Sequence, residues 1–222
     1  IINSGRGNFA GGFNNTVEGN FGSALGYLNQ VAGSSSITGG EANIVKSGLG
    51  NSLFGKSNIA DGSYLGAIGI DNRVFFQGAV ALGQGNRDSG WASIAGGLNN
   101  VIENNVLSST AFGQNNIVSR NLSFNAGVPG SATFTAGDAN FNSGYASMAF
   151  GSNNRSINAN SFAANFNTIA NASYMTAFGH FNDTVTAVKG PSYLQTEMLF
   201  AIGNGSNNAN RRNSFTMMRN GF

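Results

Sequence analysis

Acid–base cleavage of a polysaccharide needs two carboxylates about 5–10 Å apart, and this chain of 222 residues offers nine acidic residues from which to build such a pair. Glu18, Asp61 and Glu103 occupy one column of a repeat but recur only every third coil, about 14 Å apart at ordinary strand spacing. Asp61, Asp71 and Asp88 fall in successive coils at different columns, where turn chemistry or solvation is the expected role. His180 is the only histidine; it follows Gly179 at a variable position with no evident metal or Ser–His partner, and reads as an exposed spacer. Trp91, in "DSGWAS", reads as part of a short strand and could stack on a sugar, although packing is the simpler use of a lone indole. The string "GQGNRDSG" is superficially similar to a phosphate-binding glycine loop, but no helix follows to supply the N-terminal dipole. Catalytic, cofactor-binding and metal-ligating residues are therefore all expected to be none, and the chain is expected not to be an enzyme.

Composition narrows the partners. Charged residues are 9% of the chain, against about 25% in an ordinary domain, and the net charge is +2. Lys and Arg are scattered singly apart from Arg211 and Arg212, not clustered into a basic stripe, so nucleic acid is not the expected partner. No apolar run approaches the ~20 residues of a spanning helix, so no membrane insertion is expected within this segment. Cysteine is absent, which removes disulfides and thiolate chemistry.

The elements that position these residues are written in a period. A glycine preceded by a small or apolar tripeptide recurs at Gly12, Gly26, Gly40, Gly55, Gly69, Gly83, Gly97, Gly113, Gly137, Gly151, Gly179 and Gly203, with Asn165 standing in once; most steps are 14 residues. Three residues later comes Asn15, Asn29, Asn43, Asn58, Asn72, Asn86, Asn100, Asn116, Asn140, Asn154 or Asn182. Asn suits a tight turn with left-handed φ, and stacked amides can form a ladder. One position before the marker stand Leu25, Phe54, Ile68, Leu82, Phe112, Phe150, Phe178 and Ile202; two before it Ala dominates. With side chains alternating between faces, one face of this strand is large and apolar and the other small. Five after the marker a second strand is signalled by Val17, Val31, Val45, Val74, Ile102 and Val118. Each unit thus reads strand, Gly/Asn turn, strand, Gly/Ser turn. Stacked copies make an all-β, single-chain parallel β-roll or solenoid of about twelve coils. The small face suits a thin interior, although the opposite orientation is open. A stripe of Phe, Leu and Ile left in water marks an interface, so self-association is expected.

The strings "GSALGYLNQVAG", "GAVALGQGNRDSG", "GYASMAFGSNNRSINANS" and "SYMTAFGHFNDT" resemble the head repeats of trimeric autotransporter adhesins, over about residues 8–188. That resemblance implies a left-handed parallel β-roll with three chains packed side by side. It also implies an adhesive or structural head of a surface fibre, extracellular on a bacterial cell surface or on a virion. Its partners would be a homotrimer with itself and an extracellular protein or glycan receptor. The alternative is a phage or injection-system tail fibre or tailspike that binds or cleaves surface polysaccharide. The stretch "FAIGNGSNNANRRNSFTMMRNG" resembles the closing segment of such arrays, ahead of a stalk or terminal domain. Residues 1–188 read as head repeats with a ten-residue insertion between about 121 and 132. Residues 189–222 read as a second insertion, last coil and closing segment. The only prolines, Pro129 and Pro191, fall in the two insertions. Insertions in solenoids map to loops that often bind, so Val128, Pro129, Gly130, Lys189, Gly190, Pro191, Ser192 and Tyr193 are the candidate binding-loop residues.

Overall fold

A computed structural model of the chain describes residues 2–120, 130–184 and 196–221. Among them there is no helix, and so none long and apolar enough to cross a membrane. The fold is a parallel β-solenoid in two compact units, Ile1–Ile102 and Glu103–Phe222.

In the first unit, seven strands stack in parallel: Phe9–Phe13, Ser23–Tyr27, Ile37–Glu41, Ser52–Lys56, Gly66–Ile70, Val80–Gln84 and Ile94–Leu98. A second stack of shorter strands runs Ile2–Asn3, Thr16–Val17, Gln30–Val31, Ile44–Ser47, Ile59–Asp61, Arg73–Val74, Arg87–Asp88 and Val101–Ile102. Register between coils is one repeat: Ala67 pairs with Ala81 and Gly69 with Gly83.

The small face is the inner one. Ala24, Thr38, Leu53, Ala67, Ala81 and Ala95 are fully buried, facing the buried column of Val17, Val31, Val45, Ala60, Val74, Asp88 and Ile102. Within a coil the two columns compensate: Ala67 goes with Val74, Ala95 with Ile102, but Leu53 with Ala60. A thin interior packed at near-crystalline density tolerates one bulky partner per coil, not two.

The second unit repeats the plan. Thr110–Gln114, Phe134–Asp138, Met148–Ser152, Phe162–Phe166, Thr176–His180 and Met198–Asn204 stack in parallel, while Ile117–Val118, Phe141–Asn142, Arg155–Ser156 and Ile169–Ala170 form the second stack. Asn213–Met218 then turns back antiparallel onto Met198–Asn204. A buried ion pair, Arg219 Nε to Glu197 Oε2 at 3.2 Å, fixes the end of this last strand.

The turns carry most of the backbone strain. Marker glycines of the first unit have φ between 102° and 125°. Two residues later a second left-handed residue follows: Asn14, Leu28, Ala42, Ser57, Asp71 and Asn99. The left-handed residue of this turn is thus the one before the expected Asn. Even Leu28 and Ala42 accept it, because their N–H groups bond Phe13 O (3.1 Å) and Tyr27 O (2.8 Å) of the previous coil. Cβ crowding of about 1–2 kcal/mol per residue is overridden by stacking. At Gly55, φ is +114° and an added Cβ would collide with the carbonyl oxygen of Gly69 in the next coil. Gly55→Ala should therefore cost more than the usual ~1 kcal/mol, at least about 2 kcal/mol by chemical denaturation.

Candidate functional site

The turn ladder is the most regular polar structure in the protein. In the first unit each ladder Asn from Asn15 to Asn100 is buried, and each ladder Oδ1 up to Asn86 accepts both the backbone N–H and the side-chain N–H of the ladder Asn one coil on. Each Nδ2 also donates to the carbonyl four residues back, and from Asn15 to Asn86 to the marker carbonyl of the next coil; for Asn86 these are Leu82 O and Gly97 O, both at 2.9 Å. The side chain therefore satisfies acceptors that a curled backbone leaves orphaned.

In the second unit Asn140 bonds Asn116 across a sequence gap of 24 residues, so the extra ten residues leave the ladder unbroken there. Thr168 takes the ladder position after Asn154, its Oγ1 donating to Asn154 Oδ1 at 2.7 Å. Asn182 does something else. Its Oδ1 accepts from Ile169 N (2.7 Å) and its Nδ2 donates to Ile169 O (3.0 Å), so one amide pairs with Ile169 as a further strand would. Arg211 follows the same logic, its guanidinium donating to the Asn167 and Asn182 carbonyls at 3.0 and 3.2 Å.

The apolar column before the marker faces outward. Within the single chain, Leu25 is 45% exposed, Phe54 40%, Ile68 53% and Leu82 37%. Phe112 and Ile202 are exposed too, while Phe150 and Phe178 are half-buried. The difference lies in what flanks them. In the second unit three of the residues three before the marker, Phe134, Phe162 and Phe200, are also Phe, and the rings Phe112, Phe134, Phe150, Phe162, Phe178, Phe200 and Phe215 form one zigzag with centroids 5.2–6.5 Å apart. Rings at these separations cover one another. In the first unit the corresponding neighbours are mixed, and the aliphatic column stands more open.

Of the candidate loop residues, Val128, Pro129, Lys189, Gly190, Pro191, Ser192 and Tyr193 lie outside the described residues. Gly130 belongs to the short strand Gly130–Ser131, paired with Val106–Leu107.

The acidic residues are dispersed. Glu41 pairs with Lys56 at 3.2 Å on the surface, Asp61 accepts from Ser47 Oγ at 2.7 Å, and Glu103 accepts from Ser119 Oγ at 2.6 Å. Among the described residues no three His, Asp or Glu side chains converge. His180 is exposed, with Nδ1 2.6 Å from the Gly205 carbonyl.

Asp88 has the expected turn chemistry, bonding the backbone two residues on, but not the solvated alternative: it is fully buried, in a column whose other members are Val, Ala60 and Ile102. Its Oδ1 accepts from Ser93 Oγ (2.5 Å) and Gly90 N (3.0 Å). Burial pushes its carboxyl up from 3.8 to about 6, against the opposing hydrogen bonds from Ser93, Gly90 and Val80. Counting five positions from Gly83 would have found it, since that column is interior in every coil. Trp91 also differs from its reading: it lies in the connection after Arg87–Asp88, 46% exposed, not inside a strand.

No family model matches the chain, and no curated protein matches it either.

Proposed function

We propose that the chain is a non-enzymatic adhesive and structural head segment of a trimeric fibre, displayed on a bacterial surface or a virion. Three copies pack side by side through the outward apolar column, as the resemblance to trimeric autotransporter adhesin heads implies. The receptor is an extracellular protein or glycan.

One observation carries this reading: Leu25, Phe54, Ile68 and Leu82 occupy one position of the repeat, exposed on strands whose register is one repeat per coil. The interior is already filled by the two buried columns, so a single coil has no architectural use for this one. Contiguous apolar surface beyond a few hundred Å² marks an interaction site. Each is about half covered already, so burying the remainder is worth about 1 kcal/mol per side chain.

Phe54→Asp is therefore expected to dissociate the assembly and lower the melting temperature by at least about 5 °C. In a lone chain Phe54 is exposed, so the same change would leave melting nearly untouched. Unchanged elution and melting would contradict the interface.

A further inference from the structure

At one corner of the first unit the repeat breaks its own rule. The position after the second strand is Gly19, Gly33, Gly48 and Gly62 in the first coils, where an added Cβ would meet a backbone oxygen of the next coil. The coil that follows carries Phe76 there instead, preceded by Phe75. Phe76 stacks with Trp91 one coil on, centroids 6.4 Å apart and planes 29° apart, and the guanidinium of Arg87 lies 5.6 Å above the Phe75 ring. Trp91 keeps 46% of its surface in water.

Beside these rings Arg73 and Arg87 are directly paired in register on adjacent parallel strands, both exposed. Like charges placed opposite each other destabilise a sheet. Neither arginine takes part in the ion pairs the structure shows, Lys56–Glu41 and Arg219–Glu197. The acid on the preceding coil, Asp61, is held by Ser47. Phe76 thus stands where earlier coils keep glycine, beside two exposed arginines with no acidic partner in the ion pairs the structure shows.

We propose that Arg73, Arg87, Phe76 and Trp91 form a binding site for an acidic polysaccharide, with uronic-acid carboxylates on the two guanidiniums and an apolar sugar face on the rings. Guanidinium forks match carboxylates bidentately. Flat, exposed aromatic faces supply apolar area at low entropic cost. A single exposed site of this kind binds weakly, and a polymer presented to several copies gains by avidity. The assignment rests on the adhesive reading above and names its ligand class. A second copy of the chain is the competing occupant.

Trp91 is the only tryptophan, so its emission reports the site directly. Titration with polygalacturonate fragments should shift or quench that emission saturably, more weakly at high salt, while neutral dextran of equal length leaves it unchanged. The double variant Arg73→Gln, Arg87→Gln should lose about tenfold in affinity. Phe76→Ala should weaken binding several-fold while keeping the salt dependence. Equal response to dextran, unchanged affinity in the double arginine variant, or emission that follows protein concentration instead of polysaccharide would each overturn the site. A chain that attaches to matrix or glycan surfaces yet shows no emission response to polygalacturonate overturns this site alone. A chain that attaches to no such surface overturns the adhesive reading and the site with it.

Discussion

Asn86→Ala should destabilise the protein by about 3–5 kcal/mol, the largest loss expected from removing one side chain. The two amide hydrogens of Asn86 are shared among Asn72 Oδ1, Leu82 O and Gly97 O, and its own oxygen accepts two bonds from Asn100. Alanine removes the amide partner of the Leu82 and Gly97 carbonyls and of both Asn100 donors, at about 1–3 kcal/mol for each group that water cannot reach, while Asn72 Oδ1 keeps the backbone N–H of residue 86. Asn86→Thr should cost less than half as much, because Thr168 already serves in the ladder through its hydroxyl. Urea melts of the two variants separate a specific amide requirement from a general intolerance of change. Equal losses in both would contradict the ladder's role.

Asp88→Asn should stabilise the protein at neutral pH. With the folded carboxyl raised from 3.8 to about 6, the native state binds more protons than the unfolded chain between those values. Stability contributed by the protonated acid is fully present below about pH 4 and is lost as pH rises through about 6. Above that, the ionised group costs about 3 kcal/mol. No charged group offsets it. Val74 and Ile102 lie above and below in its column, Ala81 and Ala95 face it, and Arg73 and Arg87 are exposed on the opposite side of the strand. Asparagine removes the ionisation and has a precedent in the other unit. There buried Asn142 donates to Ser147 O at 3.0 Å and accepts from Ser147 Oγ, in the geometry of Asp88 and Ser93. The variant should melt roughly 5–10 °C higher at pH 7.5 and equally at pH 4. A variant less stable than the parent at pH 7.5 would contradict the buried, raised carboxyl.

The repeat made most of this fold legible. Marker glycines, the small alanine face, the valine column and the asparagine ladder follow from spacing alone, because each coil repeats the same contacts with its neighbours. What escaped were the positions where a coil departs from the pattern for a local reason. Leu53 sits among alanines because Ala60 makes room opposite it, a pairing visible only once the two columns face each other. The left-handed residue falls at Leu28 and Ala42, which no propensity would choose, because interstrand bonds dictate turn geometry. Asn182 looks like one more ladder residue yet pairs with the Ile169 backbone, since the chain leaves the regular coil there. The Glu197–Arg219 pair belongs to an irregular closing segment that carries no period to read. For the outward column, spacing gave its apolar character and the structure its exposure. Spacing did not give the ring zigzag of the second unit, which draws on two columns at once.

The outward column is proposed to be covered by other copies of the chain. Mass in solution, by light scattering or sedimentation equilibrium across a concentration series, tests it most directly. Three chains of 22.8 kDa predict a species of about 68 kDa that persists on dilution. A well-behaved 22.8 kDa monomer at every concentration would contradict the claim.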